Sequence, residues 1–64
     1  MLAHRGDRLI LEGTHVGDRR RTGMIIELRG ADGAPPYVVR WLDTDRESLV
    51  FPGPDARVEP PLSE

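Results

Sequence analysis

Apolar residues in this chain gather in short runs, each closed by glycine, proline or a polar turn. The first, Arg8-Leu9-Ile10-Leu11-Glu12, is too short for a stable helix and lies between Gly6 and Gly13, which predicts a strand over 8–12. The second, Gly23 to Arg29, is rich in β-branched residues and stops at Gly30, which predicts a second strand. Between them, Gly13 to Thr22 carries Gly17, Asp18 and three consecutive arginines, Arg19, Arg20 and Arg21. That stretch is too polar and aperiodic for a core element, so it reads as an extended loop. The inward face of the second strand has two readings. Simple alternation gathers Met24, Ile26 and Leu28, whereas a glycine ahead of a strand in small barrels often turns the second residue, here Ile25, into the core. We adopt the second reading, which requires a local bulge.

Gly30 to Pro36 is dense in turn formers, with Pro35-Pro36 holding its end extended. Tyr37-Val38-Val39-Arg40-Trp41-Leu42 is the strongest strand signal, with Tyr37, Val39 and Trp41 on one face and Val38, Arg40 and Leu42 on the other. Both faces are partly apolar, which predicts a central strand whose outer side is also covered or used. Asp43 to Arg46 makes a tight connection to Glu47-Ser48-Leu49-Val50-Phe51, giving a hairpin. Pro52-Gly53-Pro54-Asp55 stops that strand and is expected to form one helical turn before a fifth strand, Ala56 to Glu59. The expected organisation is a flexible N-terminus at 1–5, one domain at 6–59 and a flexible tail at 60–64, where Pro60 and Pro61 end the ordered chain. Short strands, a long first loop and a proline-rich turn before the last strand predict an all-β fold. It is a single small, partly open barrel of about five antiparallel strands, of the Src-homology-3-like (SH3-like) type.

Composition narrows the function more than the fold. With 64 residues the core must be small, and with no cysteine neither a disulfide nor a thiolate zinc site stabilises it. Packing, the six prolines or pairing with another chain must do so, which keeps a homodimer open. A net charge of −2 argues against coating nucleic acid by bulk electrostatics. All nine basic residues are arginine, a bias that high-GC coding explains without selection for phosphate recognition. No apolar run approaches the ~18 residues of a membrane span, and Met1 to Gly6 lacks the apolar stretch of a secretory signal, so the expected location is cytoplasmic, with no membrane partner.

The segments Gly6-Asp7-Arg8-Leu9, Pro35-Pro36-Tyr37-Val38-Val39-Arg40-Trp41 within Gly30 to Trp41, and Phe51-Pro52-Gly53-Pro54-Asp55 carry a resemblance. From Gly6 to about Glu59 the chain closely resembles the short actinobacterial domain-of-unknown-function family nineteen-eighteen. That resemblance implies a small SH3-like barrel and no established biochemical activity. Gly6 to Leu28 is also loosely similar to the KOW and Tudor-type barrels, whose loop between the first two strands meets nucleic acid or protein. For this chain the likeness implies only the location of such a loop.

Candidate chemistry is sparse. Arg19, Arg20 and Arg21 are placed to clamp phosphates through planar guanidinium groups, or to form a solvated loop neutralised by Asp18 and nearby carboxylates. Tyr37 and Trp41 have two readings, a stacking platform or core packing, while Phe51 is expected inside, because so small a domain needs its large side chains there. His4, His15 and Asp18 follow no recognised metal spacing, and the carboxylates of Asp43, Asp45 and Glu47 belong to a tight turn. No nucleophile and base pair is assignable. The expectation is a noncatalytic binding or regulatory module without cofactor or metal, acting in protein interaction or self-association. The alternative is a nucleic-acid-binding accessory factor. The candidate contact residues are Arg19, Arg20, Arg21, Tyr37 and Trp41.

Overall fold

The first four apolar runs pair each with the next along the chain, and the last returns to pair with the first. The computed structural model describes residues 2–13 and 20–61. Its strands are β1 (Arg8–Leu11), β2 (Arg21–Leu28), β3 (Tyr37–Trp41), β4 (Glu47–Val50) and β5 (Ala56–Glu59). They form one antiparallel five-stranded sheet in the order β4-β3-β2-β1-β5. β1 to β4 follow as a meander, and β5 returns beside β1 without pairing with β4. This is the strand order of a partly open SH3-like barrel.

The eight-residue β2 serves two partners. Arg21 to Met24 pairs with Leu11 to Arg8, and Gly23 to Leu28 pairs with Trp41 to Tyr37. The second ladder slips between Ile25 and Glu27, leaving Ile26 as the extra residue of a bulge. Ile25 is consequently fully buried and Met24 is 45% exposed, as the bulged reading requires and plain alternation does not. Pairing also draws Arg21 and Thr22 out of the expected loop, opposite Leu11 and Ile10. A ladder to β1 outweighs their modest strand propensity. Arg19, His15 and Asp18 lie outside the described residues.

Leu9, Ile25, Tyr37, Val39 and Trp41 form the core, flanked by Leu11, Leu28, Val50, Ala56 and Val58. Gly23 stands between Leu9 and Trp41 in the ladder, and the space its side chain would take is filled by Val39 and the Trp41 ring. Ala3, ahead of the expected domain start at Gly6, also belongs to this core. Its N–H donates to the Gly33 carbonyl at 2.9 Å, and the Tyr37 hydroxyl donates to the same oxygen at 2.8 Å. Gly33 has a φ of +84°, and a Cβ there would lie 2.6 Å from the Ala3 carbonyl oxygen. Glycine is therefore required for both conformation and space.

The helical turn lies elsewhere than the sequence suggests. A 3₁₀ turn spans Ala31–Gly33, between β2 and β3, with Asp32 in the left-handed region that a short polar side chain tolerates. Ahead of β5, Pro52 to Asp55 instead makes a tight turn closed by the Ala56 N–H on the Gly53 carbonyl at 3.1 Å. Pro52 and Pro54 lack the N–H groups that successive helical bonds need. Among the described residues no helix is long and apolar enough to cross a membrane.

Candidate functional site

The two described arginines of the triplet are held by intramolecular partners. The Arg21 guanidinium carbon sits 4.1 Å from the centre of the Trp41 ring, and Nη2 donates to Asp43 Oδ1 at 3.1 Å. Its Nε is enclosed and finds no acceptor among the described residues. That hydrogen bond, together with the guanidinium charge, holds the Asp43 carboxyl below the ordinary aspartate range. Arg21 thus caps Trp41 by a cation–π contact, while the indole Nε1 donates to Ser48 Oγ at 3.1 Å. Arg20 Nε donates to Glu12 Oε1 at 2.9 Å. Glu12 also pairs with Arg57, Arg57 with Glu59, and Glu59 with Arg8, so charges alternate along Arg20, Glu12, Arg57, Glu59 and Arg8. A phosphate at Arg20 or Arg21 would meet a guanidinium already paired with, and neutralised by, the carboxylate of Glu12 or Asp43.

The aromatic residues divide differently from expectation. Tyr37 is fully buried and Trp41 is 5% exposed, so neither presents a ring for stacking. Burial, with the Asp7 charge second, pushes the Tyr37 phenol above its ordinary value. Phe51, expected in the core, is instead 73% exposed. The physical reason is parity: Val50 is the residue of β4 that packs on the core, so Leu49 and Phe51, one to either side of it, share the opposite side. Pro52 then turns the chain away.

What the strands bring together is an outer face that mixes apolar side chains with closed ion pairs. Glu47, Arg40, Met24, Arg8 and Glu59 lie directly opposite one another across β4, β3, β2, β1 and β5. Arg40 bonds Glu47 at 2.9 Å and Arg8 bonds Glu59 at 3.1 Å, which leaves Met24 between two neutralised pairs. In the next row Leu49 faces Val38. Leu42 is 61% exposed and borders, with Met24, Arg8, Gly6 and Pro61, a groove of about 270 Å³. The outward position of Leu49 and Phe51 escaped sequence reasoning. The available signal was the two-sided apolar character of β3, whose Val38 lies opposite Leu49 on the outer side.

A sheet of this order, with an outer face of paired charges and apolar side chains, defines a small SH3-like domain. Residues 1–58 match the profile of a family described as a domain of unknown function (DUF1918), and the chain belongs to that family. It is 52% identical over 58 residues to the uncharacterized protein Rv0569 of Mycobacterium tuberculosis (strain H37Rv), an alignment spanning 91% of this chain and 66% of that protein. The uncharacterized protein Rv2302 of the same strain is 50% identical over 58 residues, spanning 91% of this chain and 72% of that protein. The solution structure of the conserved hypothetical protein Rv2302 superposes with a TM-score of 0.65 at 49% identity, covering 94% of this chain and 75% of that one.

Proposed function

We propose that this domain is a noncatalytic protein-binding module that uses the outer face of its sheet. The observation that carries this reading is the exposure of Met24 and Leu42 beside a groove whose neighbouring charges, Arg8 with Glu59 and Arg40 with Glu47, are already paired. Such a surface offers apolar area and little net field, a combination suited to protein and poorly suited to a polyanion. Burial of Tyr37 and Trp41 and the internal pairing of Arg20 and Arg21 weigh in the same direction, against the nucleic-acid alternative.

Capture of partners from a mycobacterial lysate, followed by titration of the purified partner, tests the proposal. The expected result is a saturable complex with protein, little changed by salt and weakened about tenfold or more by Met24→Ser with Leu42→Ser, a loss of about 1.4 kcal/mol. Binding confined to nucleic acid and falling steeply with salt would refute it, as would a protein complex indifferent to both substitutions.

A further inference from the structure

The chain ahead of β1 makes a tight turn that is tied to β2. The Asp7 N–H donates to the His4 carbonyl at 3.0 Å, and Gly6, at a φ of +94°, occupies the third position, where a type II turn needs glycine. The Gly6 N–H donates to the Ile25 carbonyl and the Ile25 N–H to the Asp7 carbonyl, both at 2.8 Å. Asp7 Oδ2 accepts the His4 N–H at 2.9 Å, so this carboxylate is engaged within the turn. Arg5 stands at the exposed corner, next to Gly6. Gly6 in turn lines the groove with Met24, Leu42, Arg8 and Pro61. The backbone that carries Arg5 is therefore fixed at the rim of that groove.

Arg5 also differs from the other arginines in its charge balance. Among the described residues every arginine except Arg5 and Arg46 is paired with a carboxylate. Arg46 is opposite Trp41, one step beyond the pairing of Arg40 with Glu47, and so belongs to the inner side of the sheet. Arg5 is thus the uncompensated cation that adjoins the groove among the described residues. The carboxylates of the outer row, Glu47 and Glu59, are held by Arg40, Arg8 and Arg57.

We infer that the groove takes a segment of a partner protein in which one large apolar side chain lies within about three residues of an aspartate or glutamate. This deepens the protein-binding reading above, on which it rests, by stating the chemistry of the partner. A space of about 270 Å³ admits one large aliphatic or aromatic side chain, which anchors against Met24 and Leu42. The neighbouring carboxylate meets Arg5. At Arg8 or Arg40 an incoming acid would face a resident carboxylate, whereas at Arg5 it faces none. A basic segment would meet the Arg5 charge with no free carboxylate to offset it, which sets the sign of the preference. One exposed pair is worth about two- to fivefold in affinity, so it selects the partner and leaves the salt dependence shallow.

Selection from a random library of about twelve-residue peptides, displayed in many copies on phage so that weak binding registers, tests this inference. The targets are the full chain, its Arg5→Glu variant, and the variant carrying Met24→Ser with Leu42→Ser. Sequences enriched on the wild type and lost on the double variant are expected to place Asp or Glu within about three positions of a large apolar residue. On Arg5→Glu the same apolar residue is expected beside Lys or Arg. End-capped synthetic copies of the acidic peptides should bind about two- to fivefold more weakly to Arg5→Gln and about tenfold more weakly to Arg5→Glu. The urea midpoint should stay unchanged in both, since Arg5 holds no partner within the domain. Groove-dependent peptides without an acidic preference, or an acidic preference that survives Arg5→Glu, overturn the inference and leave the protein-binding reading in place. Enrichment indifferent to Met24 and Leu42, or no enrichment on any form, overturns both.

Discussion

Replacing Gly23 by alanine tests whether the core is packed as described. The position sits between Leu9 and Trp41 on the inner face, and its φ carries no left-handed strain, so the backbone accepts a side chain readily. Space is what is missing. An added methyl would enter the volume of Val39 Cγ1 and lie 3.0 Å from the Arg40 carbonyl oxygen and 3.1 Å from Trp41 Cε3. Val39 is fully buried and β-branched, so it cannot turn aside into a second rotamer without meeting its own neighbours. Overpacking of this kind costs about 1–3 kcal/mol, here toward the upper end because two of the three obstacles are a backbone oxygen and a buried indole. At about 0.05–0.15 kcal/mol per residue the whole domain holds on the order of 3–10 kcal/mol, so the substitution removes a large share. With an m-value of about 1 kcal/mol/M, the urea midpoint followed by Trp41 fluorescence should fall by about 2–3 M, and the melting temperature by about 15 °C or more. A fall under about 0.5 M would show that Val39 and Trp41 do not fill the space at Gly23. Met24→Ala, one residue along but 45% exposed, is the control and should change stability little.

The remaining predictions concern the hydrogen-bonded and charged periphery of the same core. Tyr37→Phe deletes one of two donors to the Gly33 oxygen; because Ala3 N–H still satisfies that oxygen, the cost is about 1 kcal/mol in urea unfolding rather than the larger penalty of an orphaned carbonyl. Since burial raises the Tyr37 phenol in the folded state, the neutral phenol's contribution is present below the ordinary tyrosine range and lost as pH rises through the raised value. Alkaline unfolding should begin above about pH 10, and Tyr37→Phe should remove that step. Asp43 is lowered by Arg21, so its contribution is present above the unfolded value, about pH 4, and lost as pH falls through the lower folded value. Carbonyl NMR should place the Asp43 midpoint below the ordinary range, and Arg21→Ala should return it there while making Trp41 emission more accessible to iodide. An unchanged midpoint and unchanged quenching would remove Arg21 from its place over the ring.

Much of the fold was legible because it rests on local signals. Gly13, Gly30 and the Pro52 to Asp55 cluster bound strands that the structure reproduces to within about two residues, and the alternation of Tyr37, Val39 and Trp41 names half of the core. Ile25 was found only through knowledge that glycine-led strands in small barrels bulge. Ala3 carried no signal at all: one small residue in a polar N-terminal stretch becomes core only because Gly33, thirty positions on, offers it a carbonyl and a gap. The same limit applies to the arginines. Their spacing announced a cluster, while the partners that occupy them, Glu12 and Asp43, are set by a register that no local window contains.

Phe51 shows how the two kinds of information combine. Size and apolarity alone assign it to the interior, and in a domain with only three aromatic residues that expectation is a strong one. Strand parity overrules it, because β4 can point one of Val50 and Phe51 inward, and the chain points Val50. The large Phe51 ring is left outside at the end of an edge strand. It lies beside Leu49 on the free edge of β4, while the opposite edge, β5, is flanked by Pro54 and Pro60. Local stability accounts for the residues that face inward, and the functional reading is drawn from the outer face, where Met24 and Leu42 border a groove between paired charges, rather than from the arginine-bearing loop.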